Sequence, residues 1–331
     1  MRIPGLKTAK KISRWLQARV FGGALILGYH RIGSSSGTLD GVSVSPENFA
    51  EHLHELRKRT HPIRLSELVQ HLKDGSLPDK SIAVTFDDGY ADNLYTAKPL
   101  LEKYEIPATV FVCTGFMGRE FWWDELERLI SGSQTDRRTL HLQAGGKHFE
   151  WHERKVSSQE GKLVSRHKFR RALYQFLLPL DVDDQNRAMG LIRSWSGVSS
   201  PGILTPRAMR EEEMLQLVDG GLIELGAHTR HHPMLPQLSL ARQRAEIQSS
   251  KKDLETLLSK KIAGFSYPNG RATVEAKQLV RELDFTYACT SLHDVVRPGS
   301  DIYELTRFWQ QDVDGNGFVK RLDRWMRMKV H

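Results

Sequence analysis

The apolar run Ile82-Ala83-Val84-Thr85-Phe86 stops at two adjacent aspartates, Asp87 and Asp88, followed by Gly89. Neighbouring residues on a strand point to opposite faces. Both carboxylates can enter one site only if the strand ends there, and Gly89 permits the turn. Three other apolar segments end on polar groups: Ala24 to Tyr29 at His30, Leu222 to Ala227 at His228, and Ile262 to Tyr267 at Pro268-Asn269-Gly270. In parallel α/β folds, reactive side chains gather where strands end. The chain therefore reads as α/β with four strand ends converging on one site.

The segments between these runs predict helices. Ser45-Pro46 caps one that runs to about Arg59, with Pro in the first helical position. Others are expected over Ser66 to Lys73, Asp92 to Tyr104, Ser239 to Leu258 and Thr273 to Leu283. Further strands are expected over Thr109 to Thr114, Phe285 to Thr290 and Tyr303 to Trp309. Strand, helix, strand is the alternation of a parallel sheet or barrel. It pauses after Trp122-Trp123-Asp124. Residues 126–204 read as an insertion, mostly helical, with a polar hairpin-like piece from Thr139 to Trp151 and a basic helix from about Gln159 to Leu178. A new helix is expected to start at Thr205-Pro206 and end at Gly220-Gly221.

The 331 residues are 39% hydrophobic, ample for one large domain. Cys113 and Cys289 both lie in apolar runs and read as buried thiols of a reducing compartment. No stretch approaches the length of a membrane span. Val20 to Tyr29 reads as a strand, not a signal peptide. The expected location is cytoplasmic, peripheral at the inner membrane. The net charge of +8 is concentrated at the ends. Residues 1–19 carry six basic side chains and no acid, and residues 320–331 carry five against Asp323, which leaves the body near neutral. Such ends suit an anionic membrane surface better than a nucleic-acid groove, so no specific nucleic-acid partner is expected. The apolar stripes of 1–19 and of Phe318, Leu322, Trp325 and Met326 suit either a bilayer or packing on the body. The chain thus divides into a basic amphipathic segment (1–19), a catalytic domain (20–317) containing the insertion, and a basic C-terminal helix (318–331).

The two aspartates and His228-Thr229-Arg230-His231-His232-Pro233 supply one carboxylate and two imidazoles for a metal, with a second carboxylate left beside it. With open positions, that donor set suits Zn²⁺, Co²⁺, Ni²⁺ or Fe²⁺. It is a recipe for metal-assisted hydrolysis, in which one group holds the ion and the next takes a proton from water.

Thr85-Phe86-Asp87-Asp88-Gly89 resembles the first motif of the polysaccharide deacetylases (NodB-like, carbohydrate esterase family 4). His228-Thr229-x-x-His232-Pro233 is similar to the second, and Phe265-Ser266-Tyr267-Pro268-Asn269-Gly270 to the third. The likeness spans roughly residues 24–312. It implies a distorted (β/α)7-like barrel with a mostly helical insertion. It also implies one divalent metal, zinc first, held by Asp88, His228 and His232, with Asp87 as general base. A backbone N–H near Gly89 or Tyr90 would help hold the oxyanion, and Tyr267, Pro268 and Trp123 would line the substrate site. The third motif lacks the Arg that braces the base in many relatives, and Arg307 is the replacement candidate. The strand ending in His that closes the family's pattern is absent near the C-terminus. Ile26-Leu27-Gly28-Tyr29-His30 carries it at the N-terminus, similar to the permuted arrangement of exopolysaccharide deacetylases. His30 is then the general acid, with His293 the weaker candidate.

The implied activity is removal of an acetyl group from an N-acetylated sugar of a cell-envelope polysaccharide or its lipid-linked precursor. The alternatives are an O-acetyl esterase, a cyclic-amide hydrolase on the same scaffold, and a non-catalytic glycan-binding protein. His231 reads as a surface or supporting histidine. Trp122 and Trp123 suit sugar stacking and core packing equally. The basic insertion helix (Lys162, Arg166, His167, Lys168, Arg170, Arg171) suits an anionic glycan or a solvated face. Asp312-Val313-Asp314-Gly315-Asn316-Gly317, continued to Asp323, has the oxygen spacing of an EF-hand loop. Lys320 at the ninth position and the absence of a partner loop favour a polar turn instead.

Overall fold

The computed structural model describes residues 22–33, 42–133, 139–152, 159–198 and 206–328. The basic segment 1–19 lies outside them. Twelve strands are present among the described residues: β1 (Ala24–Tyr29), β2 (Arg31–Ile32), β3 (Ser43–Val44), β4 (His61–Pro62), β5 (Ser81–Phe86), β6 (Ala108–Val112), β7 (Thr139–Ala144), β8 (Lys147–His152), β9 (Ile223–Ala227), β10 (Gly264–Ser266), β11 (Tyr287–Cys289) and β12 (Phe308–Trp309). The α-helices are α1 (Pro46–Arg59), α2 (Leu65–Asp74), α3 (Lys98–Lys103), α4 (Trp122–Gly132), α5 (Gln159–Leu177), α6 (Val182–Ser196), α7 (Glu211–Val218), α8 (Leu240–Leu258), α9 (Val274–Glu282) and α10 (Gly315–Trp325).

The main sheet runs β11-β10-β9-β6-β5-β1-β12, every pair parallel, with β4 added on β5. All six residues of β1 and of β5 are buried, because helices cover one face and the barrel interior the other. Residues 302–305 hydrogen-bond to β11 (Ala288 N–H to Ile302 O, 2.8 Å; Thr290 N–H to Leu305 O, 2.8 Å), and β12 then pairs with β1. One segment so joins the two edges of the sheet, and the result is a distorted (β/α)7 barrel. Parallel pairing points every strand's C-terminal end at the same rim.

Register decides what meets there. Tyr29 pairs with Phe86, so the next residues, His30 and Asp87, stand side by side. Phe265 pairs with Ala227, which brings Ser266 beside His228.

Two stretches depart from the sequence expectation. The helix expected from Thr205-Pro206 starts only at Glu211. The residues before it are extended and strap two rim loops together: Ala91 N–H donates to Arg207 O (2.9 Å), Met209 N–H to Gly89 O (2.9 Å), and Ala208 N–H to Arg119 O (2.9 Å). Those bonds replace the ones a longer helix would make, and Glu213 takes the Arg210 N–H (2.8 Å) to start the helix late. The insertion boundary expected near 126 falls inside α4. Trp122, Leu126, Leu129 and Ile130 of that helix pack with β7, β8, α5 and α6 in an apolar cluster of their own. In the basic helix α5, Arg166 hydrogen-bonds the Ser131 and Ser133 carbonyls and Arg170 pairs with Glu127 at 2.9 Å. Both arginines therefore serve the insertion's own packing.

At the C-terminal end, Phe318 and Leu322 are fully buried against the body, with Trp325 stacked on Phe308. The apolar stripe of α10 is thus covered by the chain itself. Among the described residues no helix is long and apolar enough to cross a membrane.

Candidate active site

The β5 strand delivers Asp87 in extended register, and the chain then turns sharply. Asp88 has φ +71° and Gly89 φ +81°, both left-handed. An aspartate held there costs of order 1 kcal/mol or more, and the turn swings its carboxylate round to the side Asp87 faces. The carboxylates thus share one site despite being neighbours.

Asp87 is gripped from the barrel interior. Arg307 makes a two-pronged ion pair with it, Nη1 to Oδ1 at 2.7 Å and Nη2 to Oδ2 at 2.8 Å. The same guanidinium donates to Ser266 Oγ (2.9 Å), to Thr85 Oγ1 (3.3 Å) and, through Nε, to Thr290 O (3.0 Å). Ser266 Oγ in turn donates to Asp87 Oδ2 at 3.1 Å. Burial works against the charge of Asp87, yet Arg307, then His228, hold its carboxyl well below the usual carboxylate range.

The loop after β9 brings the imidazoles. Thr229 and His232 are left-handed (φ +63° and +55°), and Thr229 Oγ1 accepts the His232 N–H at 3.1 Å. His228 Nδ1 lies 2.7 Å from the Ser266 carbonyl. A carbonyl only accepts, so Nδ1 carries the proton and Nε2 presents a lone pair. That nitrogen is 3.6 Å from Asp87 Oδ2 and 3.6 Å from Asp88 Oδ1, while His232 Nε2 is 3.8 Å from Asp88 Oδ1. Asp88 Oδ1 and His232 Nδ1 are buried without a hydrogen-bond partner. Burial, then the Asp87 and Asp124 charges, push the Asp88 carboxyl well above its ordinary value. Burial, then His228, push His232 well below its own. The His228 Nε2 lone pair, His232 Nε2 and the partnerless Asp88 Oδ1 face one another, and a cation is a group that satisfies such a set. Ligand atoms of Asp88, His228 and His232 lie within 4.8 Å of one another, so this donor set fits one divalent ion.

His30 is half-buried at the same rim, its ring stacked on Trp309 with centroids 4.5 Å apart. Burial draws its pKa down to about 4, with Asp87 opposing. Trp309 also lies 4.6 Å below the Arg307 guanidinium, so one indole supports the histidine and the brace together. The Trp123 ring is 5.0 Å from His232. Its Nε1 donates to the Tyr90 hydroxyl (2.8 Å), which donates to Asp124 (2.7 Å). Burial raises Asp124 to about 7 despite that bond.

Gly89 and Pro268 stay in the turns that follow β5 and β10, and the remaining expected residues turn from the site. Tyr267 is buried in the main core, its hydroxyl donating to Tyr303 O at 3.1 Å. Ser266 points into the barrel, so alternation turns Tyr267 outward; that signal was available in the sequence. Pro268 is buried in the turn that follows. Gly89 lies in the rim turn, where its carbonyl accepts from Met209. His293 is exposed and stacks on Phe308, away from the carboxylates. His231 turns from the cluster to Glu246 (2.8 Å). The 312–317 loop is a pair of helix caps. Asp312 Oδ1 accepts from Ser45 N (2.9 Å), Ser45 Oγ (2.8 Å) and Asn48 Nδ2 (2.6 Å) at the start of α1, and Asp314 caps α10. The α10 helix begins at the fourth loop position, so no calcium loop forms. Ser266, Trp309 and Asp124 are site residues to which the sequence reading gave no role.

The profile described as Polysaccharide deacetylase matches residues 74–156 and 185–288, more than half of the chain. A poly-beta-1,6-N-acetyl-D-glucosamine N-deacetylase of Staphylococcus aureus (strain MSSA476) is 34% identical over 110 residues, 29% of this chain and 38% of that relative. The putative polysaccharide deacetylase YxkH of Bacillus subtilis (strain 168) is 31% identical over 111 residues, 33% of this chain and 38% of the relative. The matches therefore span well under half the length of these relatives. In fold, the chain is similar to IcaB from Ammonifex degensii (TM-score 0.59, 20% identity, 93% of this chain and 98% of that one). It is likewise similar to the Streptococcus pyogenes deacetylase PplD in complex with acetate (TM-score 0.59, 18% identity, 91% and 98%). The barrel agrees with these relatives, and the profile match runs through both the aspartate pair and the histidine pair: the chain belongs to the polysaccharide deacetylase family.

Proposed function

We propose that the chain is a metal-dependent N-deacetylase that removes acetyl groups from an N-acetylated amino-sugar polymer of the cell envelope. The observation that carries this reading is the pairing of a donor set that fits a divalent ion, Asp88-His228-His232, with a second carboxylate, Asp87, locked beside it by Arg307. The Staphylococcus aureus relative, named for poly-beta-1,6-N-acetyl-D-glucosamine, supports the choice of polymer.

Asp88, His228 and His232 would hold one divalent ion, zinc ahead of cobalt, nickel or iron(II). Bound there, the ion would supply Lewis-acid polarisation of the acetyl carbonyl and a water of lowered pKa. Asp87 takes the proton from the attacking water. Its ion pair makes it a weak base, suited to an acidified water and charged at every pH where the imidazoles are neutral. Arg307 and Ser266 fix which carboxylate lone pair remains for that proton. His228 is held in one tautomer by the Ser266 carbonyl. His30, stacked on Trp309 beside Asp87, would in its protonated form deliver the proton that the departing amine requires. Trp123 offers an apolar wall beside His232 for the sugar ring.

The test is acetate release from poly-N-acetylglucosamine, from an O-acetylated glycan and from a lipid-linked N-acetyl sugar. Metal-loaded chain is compared with chelated chain and with Asp87→Asn. Release from the N-acetylated polymer should fall about 10²–10⁴-fold in Asp87→Asn, the usual worth of a general base. Release that survives both chelation and Asp87→Asn would sink the reading. Preference for the O-acetyl ester would move the activity to an esterase, and preference for the lipid-linked sugar would move it to the precursor.

A further inference from the structure

The outer face of the β7–β8 hairpin carries a cluster apart from the barrel rim. The ladder sets His141 opposite Glu150, with Gln143 opposite His148 and Thr139 opposite His152. Strand alternation puts all six on one exposed face. Three are imidazoles, one is a carboxylate, and none is a lysine or arginine. The opposite face is pinned. Leu140, Leu142 and Ala144 are buried in the insertion's apolar cluster, and Trp151 stacks on Phe169 at 5.0 Å. A lone two-stranded hairpin is marginal, but this one rests on a packed support, so the strand positions that carry its outer residues are fixed.

Ligand atoms of His141, His148 and Glu150 all lie within 4.8 Å of one another. His141 Nδ1 is 3.6 Å and His152 Nε2 2.6 Å from the same Glu150 oxygen. The His141 ring lies 6.3 Å from His148 and 5.9 Å from His152. Exposed ion pairs contribute little stability on their own. Two imidazole nitrogens and a carboxylate oxygen are, however, a donor set that zinc, nickel and copper prefer. Rotation of exposed side chains is enough to close them on one ion.

We propose that His141, His148 and Glu150 form a second metal site, for zinc or another borderline divalent ion, with His152 orienting the Glu150 carboxylate. The ion ties the two strands of the hairpin together across their ladder and takes no part in the chemistry at the rim. The proposal stands independently of the metal assigned to Asp88, His228 and His232.

The experiment is metal stoichiometry of the full chain by equilibrium dialysis and elemental analysis, with zinc, nickel and copper in turn. The variants are His141→Thr/His148→Thr, His228→Ala, and their combination. Threonine suits exposed strand positions, so the hairpin variant should fold. It should hold one ion fewer than wild type, or bind it about 10–100-fold more weakly, while acetate release is unchanged. The His228→Ala chain should keep the hairpin ion, and the combination should lose it. Equal stoichiometry and affinity in wild type and the hairpin variant, for all three metals, would overturn the proposal. Should His228→Ala lose nothing while the hairpin variant loses one ion, the rim assignment fails and the hairpin site stands.

Discussion

Among the described residues Arg307 heads the large side chains with no exposure, and it sits inside the barrel with Asp87 as its partner at ion-pair distance. Removing one partner of a buried pair leaves the other uncompensated, at about 3–5 kcal/mol. Arg307→Met should therefore lower the melting temperature and also alter the chemistry. The sign follows from the direction of the Asp87 shift. Its folded pKa lies below the unfolded one, so its contribution to stability is present above the ordinary carboxylate range and is lost only as pH falls through the depressed value. In wild type, Asp87 should thus set no acid limb in the mildly acidic range. In Arg307→Met the carboxyl pKa rises, so an acid limb of kcat/KM should move toward neutrality. Because the brace acts on the base and not on substrate, kcat should fall and KM stay near wild type. Arg307→Lys restores the charge without the fork and should recover only part of the loss. A pH–rate profile unchanged in Arg307→Met would refute this account.

Among the elements, the loop after β9 owes its path to one close approach. A Cβ on Gly115 would meet the Arg230 carbonyl at 2.5 Å and the His231 ring at 2.6 Å. The backbone oxygen cannot yield as a side chain can, so Gly115→Ala must displace the loop that carries His228 and His232. Metal affinity should drop about 10–100-fold. Gly190→Ala is the control: it lies in α6 with nothing near its Cβ, and should leave metal binding intact while adding about 0.5–1 kcal/mol of stability. Asp312→Ala removes the acceptor of three donors at the start of α1, and should cost about 1–2 kcal/mol. Added calcium should shift the melting temperature of neither chain, since the loop is a cap. These elements also mark the limit of sequence reading. Asp87, Asp88, His228 and His232 were legible because each lies at or just past the end of an apolar run. Ser266 and Trp309 were not given roles, since theirs come from strands distant in the chain: β10 faces β5 without pairing to it, and β12 pairs with β1. Ser266 lies 179 residues from Asp87, a distance over which no local pattern carries information, and Arg307, 220 residues away, was reached only through the family's missing brace. The late start of α7 was hidden for the same reason, because its competing hydrogen bonds belong to loops far back in the chain.

Among the described residues the buried apolar side chains form four clusters: a large one and a second on the barrel sheet, a small one around Tyr90 and Phe121, and one that belongs to the insertion. The rim metal would tie the β5 turn to the β9 loop, and both belong to the barrel. An ion that binds only the folded chain stabilises it by RT ln(1 + [L]/Kd), about 4 kcal/mol at a thousandfold excess over Kd. For a chain of this size that is a shift on the order of 5–10 °C. A cluster of the insertion's own, separate from those of the barrel, favours two calorimetric transitions over one. Chelation should then lower the transition of the barrel by that amount. His228→Ala should melt at the chelated value of the barrel transition and show almost no further change with chelator. The hairpin variant His141→Thr/His148→Thr should keep the barrel shift intact and lose only the part that belongs to the insertion. The two metal assignments therefore separate within one set of scanning-calorimetry traces. If chelation leaves the barrel transition of wild type where it was, the acceptors of Asp88, His228 and His232 are not satisfied by a bound ion, and the hydrolytic reading falls with them.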